Sequence, residues 1–479
     1  MAWVFAPWAV MGNSWCVAHS YVPCDRDQLF LMPESMRDWL PDDHLGWFVL
    51  DLVATVDTAD LHDRYCLGGV GRQPFDPEML LALLVYAYCV GVRSSREIER
   101  RCRADVAFRV IAANHAPDHT TIARFRQELG DVVRRLFADV LELCAAAGMV
   151  RVGVVAVDGT KMGADASLSV NRTRAWIEAE VACLLAEADQ VDGAEDATIG
   201  EGRGDELPAG LGGRAARLAR LQECRDQLDE RRRAAEADAA AKAEARAAKE
   251  AAAAAKGHRV RGKRPNPPAP FDDSAARANP TDPDSRIMRT KAGWLQGYNA
   301  QAAATADQVI VAAAVTQDQA DTNQLIPMAV ATRANLAAAG VTDPVRVVLG
   351  DAGYFSDANV AAFDGDDTEL IVNTTTSWAA RQKQRSEGFC EGPAPDGATP
   401  GDRMRHRLRT PDGAALYARR AATIEPVFAN IKDLRGFRRF MRRGRQAVEN
   451  EWQLICATHN ILKAHRFATG TGAAFTATT

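Results

Sequence analysis

Apolar positions change their period along this chain. Between residues 30 and 150 they recur at helical spacing. DPEMLLALLVYAYCVGV (Asp76 to Val92) offers a capping Asp, a Pro at the first helical position and then an apolar run. SSREIERRCRADVAFRVIA follows with Ser94 or Ser95 as its cap, then DHTTIARFRQELG, a short helix with Arg124 and Arg126. Three short helices joined by tight turns, the last one basic, fit a helix-turn-helix. They fit equally a helical bundle with no role on DNA. From Val152 the pattern is that of buried strands: VGVVAVDGT, ending in a turn, YNAQAAATA and QVIVAAAVTQD, joined at Ala306-Asp307, PVRVVLGDAGYF, ending at an Asp, and DTELIVNT. TNQLIPMAVATRANLAAAG reads as a helix ending in a Gly. Strands with intervening helices predict an α/β sheet that is at least partly parallel.

A long interruption follows the first strand. Ile177, Val181, Leu184 and Ala188 keep helical spacing, as do Leu218, Leu221 and Leu228 ahead of a run of Ala, Glu, Lys and Arg. This predicts a helical hairpin arm over 171–256, inserted into the α/β domain. GHRVRGKRPNPPAP then opens a flexible basic linker, 257–285. The remaining boundaries are a poorly ordered N-terminal extension (1–29), a helical DNA-binding domain (30–150), a catalytic domain (151–170 and 286–466) and a disordered tail (467–479).

Charge matters by its distribution. The chain has 479 residues, enough for two or three domains, and a net charge of −5. From Gly401 to Arg466, however, 15 Lys and Arg face 6 Asp and Glu, a local excess of 9. That is an electrostatic footprint suited to DNA. Ten cysteines without a Cys-x-x-Cys pair exclude a zinc site on spacing and read as reduced thiols of a cytoplasmic protein. Cys456 and His459 read as helix packing. No apolar run approaches the roughly 18 residues of a membrane span.

Three acids carry the candidate chemistry. Asp158 follows the strand VVAV, Asp351 follows VRVVLG, and Glu425 opens EPVFANIK on a helix. If the two strands are parallel neighbours, the aspartates meet at their carboxyl ends, where open α/β sheets bind ligands. With Glu425 they would make an all-oxygen site suited to a hard cation such as Mg²⁺. Two such ions can activate water or a 3′-hydroxyl and neutralise the leaving oxygen of a phosphodiester. Lys432 lies two helical turns beyond Glu425, and RGFRRFMRRGR follows, so Lys432, Arg435, Arg438 and Arg439 are candidates to hold DNA phosphates.

These residues resemble a known family. The chain is similar to the DDE-type insertion-sequence transposases, in the branch with an InsH-like N-terminal domain. The resemblance rests on GRQPFDPEMLLALLVYAYCVGVRSSREIERRCRADVAFR, PDHTTIARFR, VDGTKMGADAS, NPTDPDSRIM, GYNAQ, GDAGYFS and RMRHRLRTPDGAALYARRAATIEPVFANIKDLRGFRRFMRRG. It implies an RNase H-like core with Asp158, Asp351 and Glu425 as the metal-binding triad. It also implies Mg²⁺-dependent cleavage of transposon ends (Mn²⁺ serving in its place) and joining of 3′ ends to target DNA. The family's Tyr-Arg-Glu-Lys signature falls on Tyr417, Arg420, Glu425 and Lys432, with one residue more than the usual pattern between Arg and Glu, so Arg419 competes with Arg420 for that role. Double-stranded DNA is the implied partner, with the protein at the nucleoid when bound. Synapsis of two ends implies a homodimer or larger assembly. Two other readings stand beside this one: a DNA-binding protein that keeps the fold without transposition, and a coiled-coil interaction protein built on the arm.

Overall fold

The computed structural model describes residues 35–62, 74–199, 211–255 and 271–471. Its centre is a mixed sheet built around β1 (Val154–Gly163) and β5 (Gly293–Thr305), which pair antiparallel from Val155↔Thr305 to Gly163↔Gly297. On the other side of β1 lies β7 (Val347–Gly350), parallel to it, and then β8 (Glu369–Val372), parallel to β7. The outer edge of β5 is shared in succession by β4 (Arg286–Thr290) and β6 (Ile310–Thr316), both antiparallel to it. The four strands expected around VVAV, YNAQAAATA, QVIVAAAVTQD and VRVVLG are present, as is the short strand at DTELIVNT. The β5–β6 hairpin turns at Ala306-Asp307-Gln308, with Gln308 at φ +63.

Helices cover this sheet. The N-terminal ones are α1 (Leu45–Val53), α2 (Ala59–His62), α3 (Pro77–Cys89), α4 (Ser95–Ala104), α5 (Val106–Ile111), α6 (His119–Glu128) and α7 (Gly130–Ala146). Local chemistry places their starts: Asp76 caps α3, with Pro77 behind it, Ser94 caps α4, and Asp118 accepts from both Thr120 and Thr121 N–H at α6. The segment after Ser94 is two helices because Asp105 breaks it and caps the second. Helices α10 (Leu325–Ala338), α11 (Asp357–Ala362), α12 (Trp378–Ser386), α13 (Pro400–Arg409), α14 (Pro411–Ala429) and α15 (Arg445–Thr471) complete the body after α8 and α9 of the arm. A single apolar core runs from Leu80–Tyr88 of α3 through Val155–Val157 of β1 to Trp452 and Ile455 of α15. The helical N-terminal region therefore shares its core with the sheet.

The arm is a hairpin of α8 (Arg174–Ile199) and α9 (Leu211–Ala255), closed by Ile177 and Val181 against Leu221, Cys224 and Leu228. It stands on a two-stranded base, β2 (Arg172–Thr173) with β3 (Arg277–Ala278).

Three expectations are corrected. VDGT is not a turn: β1 runs straight through Asp158-Gly159 to Gly163. The described part of the expected linker, 271–285, is fastened down. Asn279 and Asp282 are fully buried, Asn279 donates to Ser167 O at 2.8 Å, and Asp282 accepts from Tyr298 Oη and Gly444 N–H. The basic, Pro-rich start of the segment suggested a free chain, but Asn279 and Asp282 satisfy local polar groups and hold its second half. The expected tail is helical as far as Thr471, as the end of α15. The N-terminal extension 1–29, the rest of the tail and residues 257–270 of the linker lie outside the described residues.

Candidate active site

Strand register brings the two aspartates together. The parallel pairing of β1 with β7 matches Val154 to Val347 and Ala156 to Leu349, an offset of 193 residues. The same offset takes Asp158 to Asp351. Pairing with β7 stops at Ala156, whereas β1 continues beside β5 to Gly163, so Asp158 faces the opening where its parallel neighbour ends. Asp351 caps a short 3-10 turn and its Oδ1 accepts from Gly353 N–H at 2.7 Å. Gly159 N–H donates to Asp158 Oδ1 at 2.8 Å. Burial, and then the like charge of Asp351, push the Asp158 carboxyl up to about 6 against the pull of Arg420.

Helix α14 brings the third acid. Arg420 Nη1 donates to Asp158 Oδ2 at 3.0 Å, and its Nη2 to Glu425 Oε1 at 3.1 Å. Burial opposes the Arg420 charge, yet Asp158, Tyr417, Asp351 and Glu425 together hold its pKa above the usual arginine value. Arg420, not Arg419, is therefore the arginine at the site, and the guanidinium stands between two of the three acids. Glu425 is 59% exposed at its side chain. Among the described residues, no three His, Cys, Asp or Glu side chains converge closely enough to enclose an ion together.

Pro426 shapes the end of α14. A proline there has no N–H for the Ala422 carbonyl one turn back, and Gln308 Nε2 donates to that carbonyl instead, at 3.1 Å. The helix then widens into a π turn, Asn430–Leu434. The expected continuous helix from Glu425 to Lys432 is thus interrupted. Lys432 reaches β1 from the wider turn: its Nζ donates to Thr160 Oγ1 at 2.8 Å and to Lys161 O at 3.3 Å. Burial, then Arg438, lower the Lys432 pKa.

The remaining sequence candidates divide by exposure. Arg438 and Arg439 are exposed on the loop after the π turn, Arg439 paired with Asp165 and Arg438 with Asp433. Tyr417 is partly buried against the core. Arg435 points inward: it is 8% exposed, donates to Thr458 Oγ1 and Ile455 O, and stacks on Phe437. Reading it as a phosphate contact is corrected, because the RGF turn directs it into α15. Arg124 is exposed on α6, whereas Arg126 donates to Arg93 O at 2.6 Å and so ties α6 to the start of α4. Cys456 and His459 are both buried in α15, with His459 bonded to Asn430 and to Gln308 O, which bears out helix packing.

Sequence reasoning missed a fourth acid. Asp321 Oδ1 receives Asn299 Nδ2 at 2.6 Å, Gln301 Nε2 at 2.9 Å and Lys161 Nζ at 3.3 Å. Gln301 in turn accepts from Tyr354 Oη. Asp321 Oδ2 lies 3.3 Å from where a Cβ on Gly353 would stand, and Asp351 Oδ1 2.9 Å from the same point. This network explains Gly159: a Cβ there would meet Gln301 Nε2 at 2.2 Å and Asp321 Oδ1 at 2.6 Å. Asp321 precedes a short 3-10 turn, Thr322–Gln324, and its side chain makes no capping hydrogen bond there.

Residues 34–128 match the family described as Transposase domain (DUF772), and residues 397–465 the family described as Transposase DDE domain. The second match includes Arg420, Glu425 and Lys432, whereas Asp158 and Asp351 lie outside both. No curated protein and no solved structure matches the chain. Transposases act on DNA, and DDE transposases as a family use divalent metal ions. No helix among the described residues is long and apolar enough to cross a membrane.

Proposed function

We propose that this chain, a DDE-type insertion-sequence transposase, cleaves DNA at transposon ends and joins the freed 3′ ends to target DNA with Asp158, Asp351 and Glu425 as its acids. The observation that carries the reading is the register that sets Asp158 and Asp351 side by side at a strand end, with Glu425 one arginine away. The strand order β6-β5-β1-β7-β8, with β5 antiparallel to both neighbours, supports reading the core as RNase H-like.

The donor set fits a hard divalent cation, Mg²⁺ above others, with two ions as the full complement. Asp158 and Asp351 repel each other in a buried setting, and a cation would relieve that repulsion. Such ions, when bound, activate the attacking oxygen and neutralise charge on the leaving one. The chain's own residues do the rest. Asp158 and Asp351 hold the cation side of the site, and Glu425 joins them as Arg420 turns from the acids to a DNA phosphate. Lys432, fixed to β1 by Thr160, presents its charge beside the acids. Arg438 and Arg439 extend that charge along the DNA backbone, and Arg124 adds a contact from α6. Two ends held in one complex call for at least two copies of the chain.

The test is cleavage of duplex DNA bearing the element's ends, with Mg²⁺, by wild type and Asp158→Asn. The substitution keeps shape and one acceptor oxygen but removes the charge and one of the two hydrogen bonds from Gly159 and Arg420. Expected is a loss of at least about 100-fold in cleavage with end binding retained. Cleavage at the wild-type rate would overturn the assignment.

A further inference from the structure

A second basic feature lies away from the acids. At the foot of the arm, between α8, α9 and the segment after β3, is a cleft of about 400 Å³. Its wall includes Arg172, Arg217, Arg220 and Arg443 with Trp176 and Thr281, and it includes no carboxylate. Two of the arginines are neutralised from behind, Arg217 by Glu180 at 2.6 Å and Arg443 by Asp165 at 3.0 Å. Among the described residues Arg172 donates to the carbonyls of Ser169 and Asn171, and it lies over the Trp176 ring at 5.1 Å. Arg220 is exposed and has no ion pair among the described residues. Among the described residues, two positive charges thus face the cleft without an ion-pair partner, one of them held in place by stacking and backbone contacts.

The cleft is joined to the active site by backbone. The loop after the π turn lies along the end of β1: Gly163 N–H donates to Arg438 O, and Phe440 N–H to Gly163 O. Arg439 and Arg443 then share Asp165. From Asp158 to Gly163, β1 advances five residues, about 17 Å. The loop therefore carries arginines from Lys432, bonded to Thr160 two residues along β1 from Asp158, to Arg443 in the cleft wall. A rise of 3.4 Å per base pair makes the stretch from Asp158 to Gly163 about five base pairs of duplex, with the cleft beyond its end.

We propose that this cleft is a second DNA-backbone site, in which Arg172 and Arg220 each hold a phosphate of the duplex whose scissile bond lies at the acids. The proposal rests on the transposase reading above and adds the arm to the DNA interface. A phosphodiester carries one negative charge, so each of these two arginines suffices for one phosphate, and an Arg220 without an ion pair among the described residues is what an awaited anion would require.

The test uses the full chain and a fluorescent duplex bearing a transposon end, with affinity measured across a series of NaCl concentrations. Each phosphate contact contributes about 0.9 to the slope of log K against log salt. Arg172→Ala/Arg220→Ala should lower the slope by about 2 and weaken binding at least about tenfold. Arg172→Lys/Arg220→Lys should keep the wild-type slope, and Arg220→Glu, at a position with no partner to lose, should lower it even if the double alanine variant misfolds. An unchanged slope in Arg220→Glu, in a protein that still binds and cleaves end DNA, overturns the cleft and leaves the transposase reading intact. An unchanged slope together with saturation of the wild type by millimolar inorganic phosphate marks a small-anion site and also overturns it. Failure of the wild type to bind end DNA overturns both.

Discussion

Arg420 holds Asp158 and Glu425 at once, and this one side chain sets the electrostatics of the site. Burial and Asp351 raise the Asp158 pKa, and Arg420 lowers it. Arg420→Met removes the opposing charge while keeping the stem. The pH at which Asp158 deprotonates should then rise above about 6, because burial and the Asp351 charge, the two largest causes, favour the neutral acid and only the weaker hydrogen bond from Gly159 N–H still opposes them. A carboxyl NMR titration, with Asp158→Asn identifying the signal, measures this; a midpoint unmoved or lowered would refute it. Arg435 supports the opposite kind of prediction. Buried beneath Phe437 and bonded to α15, it serves the fold. Arg435→Ala should cost about 2 kcal/mol or more in denaturant unfolding and leave the salt slope of DNA binding unchanged, because the loss is of packing and of hydrogen bonds to a buried charge. A lower slope at wild-type stability would restore Arg435 to the DNA-contact set.

At the scale of elements, β6 shows how an edge is closed without another strand. Asn460 of α15 uses its amide to bond both N–H and C=O of Ile310, at 2.8 Å each, and Glu449 accepts from Val315 N–H at 2.7 Å. Side chains of one helix thus occupy a row of groups that would otherwise be open to pairing. Burial raises the Glu449 pKa from 4.5 to about 7, against the hydrogen bond from Val315. Between those values the folded chain holds a proton that the unfolded chain has lost. This contribution to stability is complete below about 4.5 and is lost as pH rises to about 7. Glu449→Gln keeps an acceptor for Val315 and does not titrate, so the difference in melting temperature between variant and wild type should move in favour of the variant from pH 5 to pH 8. A pH-independent difference would show that Glu449 does not titrate in this window. Helix α14 makes a related point: its proline, the compensating Gln308 and the following π turn place Lys432 where a regular helix would not.

At the scale of the molecule, the helical N-terminal region and the sheet form one body and the arm a satellite. Tyr88 stacks on Phe437, and its Oη donates to Glu451, which also accepts from Met441 and Arg442 N–H. Gly91 marks the closest approach: it has φ +78, and a Cβ would meet Arg435 O at 2.8 Å. Native-state hydrogen exchange should therefore find α3 and β1 opening together at the highest free energy, with the arm, held by its small separate core, opening earlier. Exchange of α3 well before β1 would show two independent units.

The sequence by itself determined the parts whose causes are local. Capping residues and proline marked the helix starts at Asp76 and Ser94, continuous apolar runs marked β1, β5, β6 and β7, and spaced leucines marked the arm. It also supplied Asp158, Asp351 and Glu425 in order, because each follows or lies within an element visible from period alone. Tertiary structure alone decided what depends on partners distant along the chain. Asp-Gly after a strand looks like a turn until Gln301 and Asp321, about 140 and 160 residues away, are seen to need the space. Asp321 drew no notice because its partners Asn299, Gln301 and Lys161 lie on β5 and β1, and Arg435 and Arg439 looked alike in one basic run. Only packing against α15 buried the first and left the second exposed. Charge can be counted from sequence, but which charge faces solvent, an acid or a waiting phosphate is set by the fold.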